Sequence, residues 1–360
     1  MEMANFPLKI ILMAVLMAWI GGCRPALLPF DEHVPAQALS YIGAPPIKDG
    51  RFRFRSIFCG LNDRLKHKVC VSDGCDDALW RLGDEAHASR VKSNLPSHDT
   101  DLTILIVPGA FSDCFGDIGR PYHEAAERLR RMGYRIVNIP VGGLASSTSN
   151  AATIAATVSE QRMMPNRQLV MIGYSKGIVD ILHFLVDYPE QARSVAAVIS
   201  VAGAVNGSPL ADRYSGADYD NWLVGMFPGG CDAKDRGVLD SLSRINQFRW
   251  LSSHALPEHV RYYSLGSFAR YQDVQTYLRP TYKSLEKIHP LNDGQLLFID
   301  QLIPGSTLLG YVNADHWTIA LPVEEVFSIR DSALKARDRQ LRVLLFEAMI
   351  LYLVEDLREL

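Results

Sequence analysis

Gly173-Tyr174-Ser175-Lys176-Gly177, entered directly from the apolar run Leu169-Val170-Met171-Ile172, decides the fold of this chain. The run reads as a buried strand and the pentapeptide as a sharp turn into a helix, with a serine on the turn. Two glycines leave room for the backbone where a β-carbon would clash. The helix that follows brings a positive N-terminal dipole and a free N–H beside the serine oxygen, which is how a weak hydroxyl nucleophile is presented for acyl transfer. Ile178, Ile181, Leu182 and Leu185 then recur at i, i+3, i+4 and i+7, and Pro189 closes the helix.

A nucleophilic serine needs a base and a group to orient that base. Downstream, Asn292-Asp293-Gly294 follows a run that includes the strand-like Arg261-Tyr262-Tyr263-Ser264-Leu265. Ala314-Asp315-His316-Trp317 follows a further strand-like run, Thr307 to Val312. Upstream, the apolar Thr103-Ile104-Leu105-Ile106 leads into the loop Val107-Pro108-Gly109-Ala110-Phe111. The order is Ser, then Asp, then His, each after a run that reads as a strand.

From about Asp101 to the C-terminus, the chain resembles the α/β-hydrolase superfamily, and within it the bacterial triacylglycerol lipases and related esterases. Asn206-Gly207-Ser208-Pro209-Leu210-Ala211-Asp212 is similar to the segment after the sixth strand of those lipases. The resemblance implies a mostly parallel central sheet with helices on both faces. It also implies Ser175 as nucleophile, His316 as base and Asp293 as the acid that holds the imidazole. The oxyanion hole would then use the backbone N–H of Lys176 and one from the Val107–Phe111 loop. Pro108-Gly109 stands where the lipases carry His-Gly, so Ala110 is the matching donor and Phe111 the second choice. Asp315 replaces the family's Asn before the base, and no calcium ligands are placed. Neither a cofactor nor a metal is expected.

Competing assignments exist for each position. His289 rivals His316, though it reads as a loop residue beside Pro290, and Asp315 is a second acid too close in sequence to orient His316. Asp212 or Asp240 would serve if the acid followed the earlier strand. The Lys176 side chain is expected in solvent at the helix start, where its charge opposes the dipole.

The N-terminus bears on location. After Lys9, the apolar run Ile10 to Ile20 is too short to span a bilayer and fits the apolar core of an export signal. Ile20-Gly21-Gly22-Cys23 is similar to the lipobox of bacterial lipoproteins, which implies acylation of Cys23. Arg24 in place of Asp favours the outer membrane where one is present. Residues 1–22 are thus expected to be a lipoprotein signal peptide, and 23–100 a lipid-anchored tether and N-terminal segment, proline-rich up to Gly50. Residues 101–360 form the hydrolase domain, in which about 203–260 is too long for a simple connection. That stretch carries Tyr214, Trp222 and Phe227-Pro228-Gly229-Gly230, then Val238, Leu239, Leu242 and Ile245 at helical spacing, and reads as a lid or cap.

The remaining residues narrow the class. With Cys23 lipidated, Cys59, Cys70 and Cys75 crowd one segment as an exported disulfide staple would, and Cys114 and Cys231 form a conceivable bridge. The formal net charge of −3, with basic residues unclustered, gives no footing for nucleic acid. Arg51-Phe52-Arg53-Phe54-Arg55 alternates with period two and reads as a half-buried strand. Pro121 is expected to open a helix running to Gly133, Arg135 to Val141 to be a strand, and Ser149-Asn150 to cap the next helix. The expected protein is an exported, lipid-anchored serine hydrolase acting on ester or lipid-like substrates. Alternatives are an acyltransferase or thioesterase using the same three residues, or a non-catalytic binding lipoprotein on a hydrolase scaffold. Ester turnover by soluble protein separates the last from the others.

Overall fold

Apolar runs that alternate with amphipathic helices build an eight-stranded sheet in the computed structural model. The structure describes residues 45–65, 69–70, 75–83, 85–86, 95, 102–161, 168–213, 237–325 and 332–358, all within the compact unit from Pro35 to Leu360. In chain order the strands are β1 (Lys48–Asp49), β2 (Leu79–Trp80), β3 (Leu102–Val107), β4 (Arg135–Asn138), β5 (Gln168–Tyr174), β6 (Val195–Val201), β7 (Arg261–Phe268) and β8 (Thr307–Asn313). The longer helices are α1 (Arg51–Asn62), α2 (His123–Arg131), α3 (Ser147–Gln161), α4 (Lys176–Asp187), α5 (Gly237–Leu242), α6 (Arg244–Ser253), α7 (Arg279–Glu286) and α8 (Ser332–Arg358).

The strands lie in the order β1-β8-β7-β6-β5-β3-β4. Every neighbour in that order is parallel, and β2 adds antiparallel to the end of β8, with Leu79 opposite Val312. Successive side chains of a strand face opposite sides. Ile104, Ile106, Val170 and Ile172 accordingly join one core with Phe54 and Phe58 of α1, Leu129 of α2, and Leu345 and Met349 of α8. Leu105, Val107, Leu169 and Met171 join the other with Ile154 of α3 and Ile181 and Leu182 of α4. Both faces are covered, which is why the central strands read as unbroken apolar runs.

Several expectations are corrected. Arg51–Arg55 opens a helix, not a strand, because Phe54, Ile57, Phe58 and Leu61 fall at helical spacing and are all buried. Arg55 points inward on that helix and pairs with buried Glu85, donating also to the carbonyls of Leu79 and Trp80. At the described end of the stretch expected as a tether, Lys48–Asp49 joins the sheet as β1, beside β8. The strand after α2 stops at Asn138, and α2 itself starts at His123, after a left-handed Tyr122 (φ 56°). Ser149 and Asn150 lie inside α3; Ser146 Oγ accepts the Ser149 N–H at 3.2 Å and does the capping. Val238–Ile245 is broken at Ser243 into α5 and α6, which leaves Ile245 exposed.

Cys59, Cys70 and Cys75 are buried thiols that meet at Cys75 and do not form the expected staple. Cys114 is disulfide-bonded, to a partner outside the described residues. Residues 1–44, with the lipobox, and the aromatic and glycine-rich part of the insertion around Trp222 to Gly230 also lie outside the described residues. Among the described residues, no helix is long and apolar enough to cross a membrane.

Candidate active site

Ser175 sits between β5 and α4 in a conformation (φ 54°, ψ −123°) that L-residues rarely adopt. Its surroundings hold it there. Its N–H donates to Val201 O at 3.1 Å, and its carbonyl accepts from Ala204 N at 3.1 Å and Ile178 N at 3.3 Å. Gly177 allows the first turn of α4 to press on the end of β3: a β-carbon there would lie 2.3 Å from Val107 O and 2.5 Å from Pro108 O. That contact brings the loop after β3 alongside the serine.

The structure brings together the three residues expected from sequence. His316 Nε2 lies 2.8 Å from Ser175 Oγ, and His316 Nδ1 lies 2.8 Å from Asp293 Oδ2. Asp293 is fully buried and surrounded by donors. Its Oδ1 accepts from Gln295 N (2.9 Å) and Leu296 N (2.7 Å), and its Oδ2 also accepts from Ser267 Oγ (3.1 Å) and Gln301 Nε2 (3.3 Å). A carboxylate in that setting only accepts, so Nδ1 carries the imidazole proton and Nε2 faces the serine as acceptor. The His316 main chain is fixed as well. Its N–H donates to Asp293 O at 2.8 Å, and its carbonyl accepts from Tyr174 Oη at 2.7 Å. Burial pushes that tyrosine's phenol well above its ordinary range, so it remains a donor.

The rival residues have other partners. Asp315 accepts from Gln275 N (2.6 Å) and Thr318 N (2.8 Å), so it anchors the turn that carries His316. His289 stacks on Phe298 at 5.0 Å and accepts from Leu291 N. Asp212 accepts from Ser243 Oγ and Arg244 N at the start of α6, and Asp240 lies exposed on α5.

Two expectations around the oxyanion hole change. Phe111 adopts a left-handed backbone (φ 62°) and donates its N–H to Gly143 O at 3.0 Å, so that amide is engaged elsewhere. Among the described residues, the amides of Ala110 and Lys176 have no such partner. The Lys176 side chain is buried, not solvated: its Nζ lies 2.6 Å from Asp180 Oδ1. The returning arm of the insertion closes this side. Val238 N–H donates to Leu144 O at 3.0 Å, Ser147 N–H to Ser241 Oγ at 2.8 Å, and Val238 packs with Ala110, Phe111 and Leu144. Sequence reading missed Ser267, Gln301 and the Tyr174 hydroxyl as supports. Only Tyr174, inside the pentapeptide, carried a local signal. No cluster of three or more His, Cys, Asp or Glu suited to a metal occurs among the described residues.

Neither a protein-family model nor a curated protein matches the chain. Among solved structures it is similar to a metagenomic carboxyl esterase, with TM-score 0.74 and 33% identity over 95% of this chain and 99% of the esterase. It is also similar to a Bacillus licheniformis lipase in its mature form, with TM-score 0.50 and 19% identity over 62% of this chain and 89% of the lipase, a likeness of fold alone. With a mostly parallel sheet covered on both faces, a serine at the strand-to-helix elbow after β5 and that esterase matched over nearly its whole length, the chain belongs to the α/β-hydrolase superfamily, as a carboxylic ester hydrolase of the esterase and lipase group.

Proposed function

We propose that Ser175, His316 and Asp293 are the catalytic triad of this hydrolase and that it cleaves esters through an acyl-enzyme on Ser175. The unbroken relay of 2.8 Å contacts from Ser175 Oγ to His316 to Asp293 carries this reading. His316 Nε2 takes the Ser175 proton as Oγ attacks the ester carbonyl, and Asp293 stabilises the imidazolium that forms. The same proton then passes to the leaving alcohol. Water attacks the acyl-enzyme in the second half, again with His316 as base, and Ser175 departs with its proton restored. The developing oxyanion is received by the N–H groups of Ala110 and Lys176. Ala110, Phe111, Leu144 and Leu242, partly buried around Val238, offer apolar surface beside that point, which suits an aliphatic or lipid-like acyl chain.

A fluorophosphonate probe should label the wild type at Ser175 alone, and Ser175→Ala should lose labelling and at least about a thousand-fold in turnover of p-nitrophenyl butyrate. Labelling that survives in Ser175→Ala overturns the assignment. The enzyme is further proposed to be exported and anchored through acylated Cys23, on the motif Ile20-Gly21-Gly22-Cys23. Wild-type protein should then partition with membranes, and Cys23→Ser should block lipid attachment and signal removal at that site. An unmodified N-terminus downstream of Cys23 in the mature protein would refute the anchor.

A further inference from the structure

Behind the nucleophile lies a charged pair that the triad does not use. Lys176 Nζ and Asp180 Oδ1 are 2.6 Å apart, and both side chains are 1% exposed. Burying two charges costs several kcal/mol, so such pairs are poorly explained by stability alone. Helix stabilisation does not explain this one either. A lysine at the helix start followed by an aspartate at i+4 is the less favourable order against the dipole.

The second oxygen of Asp180 shows what the pair touches. Asp180 Oδ2 accepts from Asn150 Nδ2 at 2.8 Å, so a residue of α3 is tied to α4. Asn150 spends the rest of its amide on a single residue, Gly142. Its Nδ2 donates to Gly142 O at 2.9 Å, and its Oδ1 accepts from Gly142 N at 3.0 Å. The next residue, Gly143, accepts the Phe111 N–H and lies against that loop. A β-carbon on Gly143 would sit 2.6 Å from Ser112 N and 3.0 Å from Phe111 N. An unbroken line of contacts therefore runs from the Lys176 side chain through Asp180, Asn150 and Gly142-Gly143 to Phe111, the neighbour of Ala110.

We propose that Asn150, Asp180 and the Lys176 side chain are positioning residues for the oxyanion hole. The Lys176 amide supplies one half of the hole, and the side chain of that same residue starts the line that fixes the other half, Ala110. This rests on the reading of the Ala110 and Lys176 amides as the oxyanion donors. Loss of the clamp leaves Ser175, His316 and Asp293 in place and lets the Ala110 amide drift. Oxyanion stabilisation is realised in the transition state, so the damage falls on kcat and spares KM.

The test compares Asn150→Ala with wild type in kcat, KM and affinity for a trifluoromethyl ketone, which forms a tetrahedral adduct on the serine. Active sites are counted by phosphonate labelling of Ser175. The expected result is a kcat loss of about 30- to 100-fold with KM within about twofold, matched by an equal loss in ketone affinity. Lys176→Arg should keep most of kcat, and Lys176→Met should lose it, since only the former keeps the cation that holds Asp180. If Asn150→Ala does not fold, Asn150→Ser is read by the same three quantities. A lowered Tm with unchanged kcat and ketone affinity, or a rise in KM alone, overturns the positioning role. Phosphonate labelling that persists in Ser175→Ala overturns instead the triad reading on which the proposal stands.

Discussion

Asp293→Asn isolates the relay from the fold. The aspartate's two oxygens differ sharply in surroundings. Oδ1 receives two backbone donors, Gln295 N and Leu296 N, whereas Oδ2 receives His316 Nδ1, Ser267 Oγ and Gln301 Nε2. An asparagine amide has one oxygen to offer. Placed toward Oδ2, it would turn its NH2 onto two fixed backbone N–H groups, each a buried unsatisfied donor costing about 1–3 kcal/mol. The oxygen must therefore take the Oδ1 position, and the NH2 faces His316. Nδ1 then becomes an acceptor, the ring proton moves to Nε2, and His316 can no longer accept the Ser175 proton. The expected loss in kcat is on the order of ten-thousand-fold, about 5.5 kcal/mol at the transition state. Stability should drop much less, about 1–3 kcal/mol, because Gln301 Nε2 keeps its bond to Ser267 O at 2.8 Å and Ser267 Oγ can turn to accept. The assay is p-nitrophenyl butyrate turnover beside a thermal melt. Retention of more than roughly a tenth of wild-type kcat in a folded Asp293→Asn protein would refute the reasoning, as would Asp212→Asn or Asp240→Asn proving the more damaging change.

Gly177→Ala should impair both folding and turnover, because its β-carbon would lie 2.3 Å from Val107 O, a backbone atom that cannot yield without moving the oxyanion loop. The expected stability cost is about 1–3 kcal/mol, read by urea titration, and a variant with wild-type stability and turnover would contradict the packing described. Arg55→Met should cost about 3–5 kcal/mol by stranding the buried Glu85 charge, again read by urea titration; an unchanged midpoint would show the pair to be idle. Asp300 gives a pH signature: burial pushes its carboxyl from an ordinary 3.8 up to about 6, against the pull of Arg244. Its favourable contribution is complete below about pH 4 and is lost as pH rises through about 6. Wild type should therefore lose on the order of 2–3 kcal/mol relative to Asp300→Asn across that window. Parallel melting curves for the two proteins from pH 4 to 7 would exclude it.

Much of this molecule is written locally. The Gly173–Gly177 elbow, its flanking strand and helix, and the acid and base after late strands need only short-range patterns, since each depends on periodicity and turn chemistry within a few residues. What escaped the sequence depends on distant partners. The alternation in Arg51–Arg55 suits a strand until Ile57, Phe58 and Leu61 are weighed with it, and the partner of Arg55 is Glu85. Lys176 reads as a solvent lysine because its partner Asp180 is itself held by Asn150 of another helix. The Phe111 amide reads as a donor to substrate because nothing nearby announces that Gly143 will claim it. Ser267 and Gln301 reach Asp293 only once the sheet is assembled.

The seam between α1 and α8 has a consequence for biosynthesis. Helix α1 finds its cover in α8, and Arg53 reaches Glu355, 302 residues later. At roughly 5–20 residues per second, the apolar side of α1 waits about 15–60 s after it is made before its partner exists. The nascent chain therefore cannot seal this core while it is being synthesised. It stays open to whatever carries or guards unfolded chains until α8 is complete, and a ribosome that stops short of α8 leaves α1 uncovered far upstream of the break.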